Sequence, residues 1–368
     1  MSIIVSRESF LQGEFKRYYL MHTLPEIRAV SKREWAIIPF GGKMHRHLGV
    51  QNHASLMSLL RQTVPAHIYH SAAMYARPAA PTMDKKDRIG TDLVFDLDAD
   101  HVPGANLWTY EVQLQKIKQQ AIKLIAALEV DLGIPLQNME VVISGRRGYH
   151  IRVTNKAHLS NAARREIAAA FTGAGLNLSG ELLKVDTGGE VLLQLPPNGG
   201  WAARARRNLE GFLQHLKTLP EAERSKAIKA IPGIGAKGAQ HINPEMYSPG
   251  GIWASSAGEQ QAWKKLWAYA WDSARIDIDA PVTADIHRII RCPDSLHGQT
   301  GLRAALLPPG ALEYFHPLTD AVVFDDHPVT VIPSQDMKFS LRGETFSLHS
   351  GDEVDLPKYA AVFAFAGS

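Results

Sequence analysis

The chain has 368 residues, 45% hydrophobic and 21% charged, which excludes a disordered or low-complexity polypeptide and exceeds the roughly 250 to 300 residues that one core usually serves. A single cysteine, Cys292, excludes a disulfide framework and any zinc site built from several thiolates, and fits a reducing compartment. The net charge of +3 excludes a global basic field, so any affinity for nucleic acid has to come from local clusters of Arg and Lys.

The N-terminal stretch MSIIVSRESFLQGEFKRYYL has charges threaded through it and reads as an amphipathic helix rather than a secretory signal. No run of about 18 uncharged apolar residues follows, so a soluble, cytoplasmic protein without membrane contact is expected. The segment KREWAIIPFGGKMHRHLGV alternates enough to predict strands, with a turn at Gly41 and Gly42. A helix is expected over residues 52–60, a Pro-rich loop in ARPAAPTMDKK and a strand over 91–97. Next come a long helix over 108–132, stopped by Gly133, and strands over 139–143 and 149–153. Residues 160–272 read as mainly helical, broken at PPNGGW and IPGIG and basic between 204 and 237. A strand at 274–278, a helix at 284–291 and short strands in VTVIP, KFSL, ETFSL and AVFAF complete the chain. These elements predict an α/β (α+β) fold. Its mixed-sheet core is formed by residues 1–155 and 273–317, separated by a mainly helical insertion, 156–272, and followed by a C-terminal β segment, 318–368.

The chemistry concentrates in a few segments. In TDLVFDLDAD, strand alternation sends Asp96 and Asp98 to one face and Phe95, Leu97 and Ala99 to the other. Two carboxylates this close repel, and a divalent cation with hard oxygen ligands, Mg²⁺ or Mn²⁺, relieves them most simply. A solvated acidic strand end is the alternative for a bare DxD. ARIDIDAPVT repeats the pattern with Asp277 and Asp279. Three carboxylates from two such strands suit a pair of metals that clamp the attacking and leaving oxygens of a phosphoryl displacement, with Asp100 and Asp277 peripheral. SGRRGYHIRV presents Arg146 and Arg147 on a glycine-bracketed turn after Ser144, with His150 opening the next strand. Arginine forks match phosphate oxygens, although a solvated hairpin tip reads the same way. RIIRCPDSLHGQTGL reads as a helix end and a Pro-stopped loop on which Arg291, Ser295 and His297 converge on an anion. IPGIGAKGA is similar to the glycine hairpin of helix-hairpin-helix DNA-binding modules.

TDLVFDLDADH, SGRRGYHI and VTADIHRIIRCPDSLHGQTGL, in this order, resemble the three signature blocks of the catalytic small subunit of archaeo-eukaryotic DNA primases, and KREWAIIPF with MHRHLGV resembles that family's N-terminal block. The resemblance runs from about residue 33 to 302. It implies a primase catalytic core that makes primers on a single-stranded DNA template from nucleoside triphosphates. It places the metal-binding, catalytic carboxylates on Asp96, Asp98 and Asp279. It places nucleotide contacts on Ser144, Arg146, Arg147, His150, Arg291 and His297, with Arg46 and Glu34 lining the same pocket. It further implies a heterodimer with an iron-sulfur large subunit, whose cluster one cysteine cannot hold here. The zinc element that many relatives carry after the DxD strand is expected to be absent, since DADHVPGANLW has no cysteine. A repair-type polymerase of the same superfamily and an inactive nucleic-acid-binding scaffold remain the alternatives.

Overall fold

Helix α1 (Arg7–Met21) begins where the Ser6 hydroxyl accepts the Ser9 amide, and it buries Leu11, Phe15, Tyr18 and Tyr19 at helical spacing. This computed structural model describes residues 6–102, 104–174, 182–188 and 191–367, so the first five residues of the N-terminal stretch lie outside it. The described chain divides into two units, residues up to 165 together with 278 onward, and residues 166–277. Among the described residues, no helix is long and apolar enough to cross a membrane.

The first unit continues with β1 (Trp35–Ile38), β2 (His45–Leu48), α2 (His53–Thr63), β3 (His67–Ser71), β4 (Ala73–Tyr75), β5 (Arg88–Thr91) and β6 (Leu93–Asp98). Then come α3 (Tyr110–Leu132), β7 (Met139–Ile143), β8 (Gly148–Val153) and the start of α4 (Asn161–Thr172), whose residues from 166 on belong to the second unit. Helix α3 starts at Thr109, whose hydroxyl accepts the Val112 amide, and stops at Gly133, which takes φ +60°. Its apolar stripe, Leu114, Ile117, Ala121, Leu124 and Leu128, is buried. So are the inward residues of β6 and β8, Phe95, Leu97, Tyr149 and Ile151.

In the second unit, β9 (Leu183–Asp186) and β10 (Val191–Gln194) precede α5 (Gly200–Thr218), α6 (Glu221–Lys229) and α7 (Ala236–Ala239). The strands β11 (Tyr247–Ser248) and β12 (Gly251–Trp253) and the helix α8 (Ala257–Asp272) complete it. The four strands form one antiparallel sheet, β11-β12-β10-β9, within this segment expected to be mainly helical. Leu193, Ile252, Leu209, Leu213, Trp263 and Leu266 belong to its core. The IPGIG segment is the turn between α6 and α7, with Gly233 at φ +78° and its carbonyl accepting Lys265 Nζ at 2.6 Å.

The first unit resumes with α9 (Ala280–Ala284), β13 (Ile289–Arg291), β14 (Leu306–Leu307), α10 (Pro317–Asp320), β15 (Pro328–Val331), β16 (Met337–Leu341), β17 (Glu344–Leu348), β18 (Val354–Pro357) and α11 (Lys358–Gly367). Two four-stranded antiparallel sheets carry the site: β13-β3-β1-β2 and β14-β7-β8-β6.

Three expectations change here. Residues 274–278 form no ladder strand. The helix expected over 284–291 is instead the short α9 followed by β13, because β-branched Ile289 and Ile290 pair with β3, Arg291 opposite Tyr69. AVFAF lies in α11, not a strand. A short apolar run fits either period, and the alanines of KYAAVFAFAG favour the helix, which buries most of its length.

Candidate active site

Strand β6 is the edge of its sheet, and its register against β8 sets Asp96 opposite His150 and Asp98 opposite Gly148. Asp96 Oδ1 lies 3.4 Å from His150 Nε2 and Asp96 Oδ2 lies 3.8 Å from the Arg288 guanidinium. Asp98 Oδ1 accepts the Asp100 amide at 2.9 Å. Asp279, the residue before α9, reaches the open edge of this strand: its amide donates to the Asp96 carbonyl at 2.8 Å. A main-chain hydrogen bond, rather than a second ladder strand, therefore brings Asp279 to Asp96. Asp277 belongs to the other unit, where its carboxylate meets Arg275 Nε at 2.8 Å.

Among the described residues, no three His, Cys, Asp or Glu side chains are gathered into a set that holds a metal as they stand. The donor chemistry does fit a divalent ion. Asp96, Asp98 and Asp279 offer only hard oxygens, the ligands of Mg²⁺ and Mn²⁺, and Asp96 and Asp98 share a strand face. His150 Nδ1, beside them, is buried without a hydrogen-bond partner. Burial, with Arg291 and Arg288, lowers the His150 pKa against the opposing pull of Asp96.

The basic turn follows β7. Ser144 Oγ accepts the amides of Arg146 (3.3 Å) and Gly148 (3.1 Å), closing the turn on itself. Gly145 takes φ +79°, and a Cβ there would stand 2.8 Å from that of His297, so only glycine fits. Two outside hydroxyls clamp the turn: Thr300 donates to the Gly145 carbonyl and Tyr110 to the Arg146 carbonyl, each at 2.6 Å. Arg147 pairs with Asp100 at 2.9 Å, while Arg146 is exposed and has no ion-pair partner among the described residues.

Arg291 stands on β13, buried. It donates to His67 Nδ1 at 2.9 Å and to the Tyr69 hydroxyl at 3.2 Å, and its guanidinium lies over the Tyr69 ring at 4.5 Å. The His67 and His297 rings meet edge to face at 4.8 Å. Burial, then Arg291 and Arg146, lower the His67 pKa to about 3. His67 is thus neutral at physiological pH and accepts from Arg291 at Nδ1, which leaves its proton on Nε2. Burial and the same arginines lower His297 as well. His67 and Arg146, with Arg7, Gly41, Gly42 and Gly298, line a polar cavity of about 460 Å³.

On the opposite edge of that sheet, Arg46 on β2 is bound in a fork by the fully buried Glu34, at 3.0 and 3.3 Å. Ser295 turns away from the anion site: it is buried and donates to the Cys292 carbonyl at 2.7 Å. His67, Tyr69, Arg288, Tyr110 and Thr300 belong to the site's surroundings and were not singled out by sequence. For His67 and Tyr69 the signal was the alternation of HIYHS, which puts both on one strand face.

The profile of the DNA primase small subunit family matches residues 95–307. The DNA primase small subunit PriS of Methanothrix thermoacetophila is 36% identical, over 97% of both chains. Those of Methanocella arvoryzae (33% identical, 96% of both chains) and Methanococcoides burtonii (32%, 96% of this chain and 95% of the relative) are similar over the same extent. Among solved structures, the polymerase domain from Mycobacterium tuberculosis ligase D in complex with DNA covers 82% of each chain at 12% identity, with a TM-score of 0.39, a likeness too low to bear on the fold or the chemistry. With its core matched by the family profile and nearly its whole length matched by these relatives, this chain belongs to the DNA primase small subunit family, the catalytic, nucleotidyl-transferring subunits of DNA primases.

Proposed function

We propose that this chain makes primers by joining nucleoside triphosphates on a single-stranded DNA template, with Asp96, Asp98 and Asp279 as the metal-holding catalytic carboxylates. Ser144, Arg146, Arg147, His150, Arg291 and His297 take the triphosphate in this reading. The observation that carries it is the register of β6 against β8, which sets the acidic strand end directly beside the basic turn and His150. A Mg²⁺ or Mn²⁺ pair, when bound, would supply charge neutralisation as the primer's 3′-hydroxyl gives up its proton to solvent, its oxygen bonds to the α-phosphorus and the bond to the pyrophosphate oxygen breaks. The chain's own residues orient the phosphates. The clamped turn aims Arg146, Arg291 is held in place by His67 and Tyr69, and His297, whose pKa burial and Arg291 lower well below the ordinary value, offers an N–H donor without adding charge. In this reading Arg46, held by Glu34, contributes to nucleotide binding from the N-terminal block. The reading includes no structural zinc. It is supported by the single thiol, Cys292, which is fully buried and pushed up in pKa by that burial.

The relatives are small subunits by name, so this chain acts within a multi-subunit primase. The proposed partner is the large subunit, with an iron-sulfur cluster that this chain cannot hold. A net charge of +3 provides few simultaneous phosphate contacts, and template affinity rises steeply with their number. The test is incorporation of a labelled nucleotide on a bare single-stranded template, with either metal, with and without the large subunit. Products begun without a primer, and more of them with the large subunit, are expected. No incorporation, or extension of existing ends alone, overturns the reading.

Arg146→Ala and Arg147→Ala are each expected to weaken triphosphate binding by about 1.5 to 3 kcal/mol, the worth of a charge-assisted hydrogen bond. Arg146 should show the larger loss, because Arg147 already shares its charge with Asp100. Calorimetric titration with a non-hydrolysable triphosphate reads both values, and unchanged affinity in both variants would move the phosphate site elsewhere.

A further inference from the structure

The basic turn borders a second cavity, distinct in character from the polar one. About 770 Å³ in volume, it is lined by Tyr110, Arg146 and Arg147 from the core and by Lys338, Phe339 and Phe363 from the C-terminal segment. The aromatic rings form a continuous run. Tyr110 meets Phe363 at 6.3 Å, Phe363 meets Phe339 at 4.9 Å, and Phe339 stacks on Phe346 at 5.2 Å and 26°. Three cations stand beside them. Lys338 is exposed and, like Arg146, has no ion-pair partner among the described residues, while Arg147 is shared with Asp100 and Glu111 adds one acid to the wall.

We infer that this groove holds the unpaired single strand of the template, its bases against the aromatic run and its phosphates on Lys338 and Arg146. The inference deepens the proposed function and rests on it in one respect, that the substrate includes a single strand. The chemistry favours nucleic acid over a protein partner. Ring faces stack with any base and cations track the backbone, the pattern of sequence-tolerant single-strand binding, whereas lysine, which Lys338 contributes here beside the rings, is depleted at the centre of a protein interface. Arg146 lines both cavities. One residue of the clamped turn thus borders both the polar cavity and the template path, and because Arg146 is also a proposed triphosphate contact, the templating base lies next to the nucleotide it selects. It also gives the β16–β17 hairpin a role at the site.

The test is the anisotropy of a labelled oligothymidylate titrated with the full chain at about 0.05 M salt, where phosphate contacts count most. Lys338→Glu, and separately Thr345→Glu at an exposed position of β17 in the groove wall, are expected to lower oligonucleotide affinity about tenfold each. The lysine variant should also flatten the salt dependence by about 0.7 in log–log slope, one lost single-strand contact. Triphosphate affinity and melting temperature should stay at wild-type values in both. Oligonucleotide affinity unchanged in both variants, absent in the wild type, or retained while attachment of the large subunit is lost, overturns the groove. A wild-type chain that incorporates nothing yet binds the oligonucleotide through Lys338 would remove the catalytic reading and leave the groove standing.

Discussion

Asp96→Asn is expected to cut nucleotide incorporation by about a thousandfold, which is roughly 4 kcal/mol at the transition state, with the fold intact; Asp98→Asn should do the same. The side chains are nearly isosteric, so His150 and the Asp100 amide keep a neighbouring oxygen, and what disappears is a hard, charged ligand. Among the described residues, the only ion pair that Asp96→Asn weakens beyond the His150 contact is the one to Arg288, at 3.8 Å and with Arg288 partly exposed, which is worth little to stability. Direct titration with Mn²⁺ separates ligand loss from other causes of inactivity. Wild type should bind the ion and each variant should bind it at least tenfold more weakly, while triphosphate affinity measured without metal stays unchanged. Near wild-type incorporation at saturating metal in either variant, or equal Mn²⁺ affinity, would remove the metal assignment.

The residues at the centre of this site were legible because their pattern is local. VFDLD alternates, so Asp96 and Asp98 had to share a face, and SGRRG has the glycines and the serine of a closed turn. The rest depended on contacts between distant segments. RIIRC shows nothing of β13, since three residues make a strand only when β3, more than two hundred residues earlier, is there to pair with them. The four strands from β9 to β12 escaped notice because they are short, and the first, LKVD, is exposed throughout and lacks a buried face to produce alternation. Nothing local in the sequence shows that the adjacent charges Arg33 and Glu34 are both buried. In extended backbone they point to opposite sides, yet both are fully buried because each finds its counter-ion elsewhere, Arg33 at Asp92 and Glu34 at Arg46 and Lys86.

Asp92→Ala should destabilise the first unit by about 3 to 5 kcal/mol, because it strips the counter-ion from an arginine that has no route to water. Asp92 Oδ2 lies 2.6 Å from Arg33, and both side chains are wholly buried. Arg28, at 3.4 Å, and Arg152, at 3.8 Å, turn toward the same carboxylate. Arg33 also donates to the carbonyls of Ser71 and Ala72, at 2.9 and 2.8 Å, and burial lowers its pKa against the pull of Asp92. Those carbonyls keep Arg33 in place after the substitution, so its charge stays buried beside Arg152 with nothing to balance it. Denaturant unfolding of Asp92→Ala, Arg33→Met and the double variant measures the coupling. The double variant should recover part of the loss, since it removes the orphaned charge, and the remainder reports the demands of Arg28 and Arg152. A loss under about 1 kcal/mol in Asp92→Ala would mean that water or another carboxylate reaches Arg33. The position gives the pair its functional weight. Asp92 immediately precedes β6, and Arg152 lies on the paired strand β8, so the pair fixes the root of the two strands whose far ends carry Asp96, Asp98, His150 and the arginine turn. Asp92→Ala assayed well below its melting temperature should therefore also lose incorporation, through displaced carboxylates rather than through any contact with substrate, and its Mn²⁺ affinity should fall with its activity.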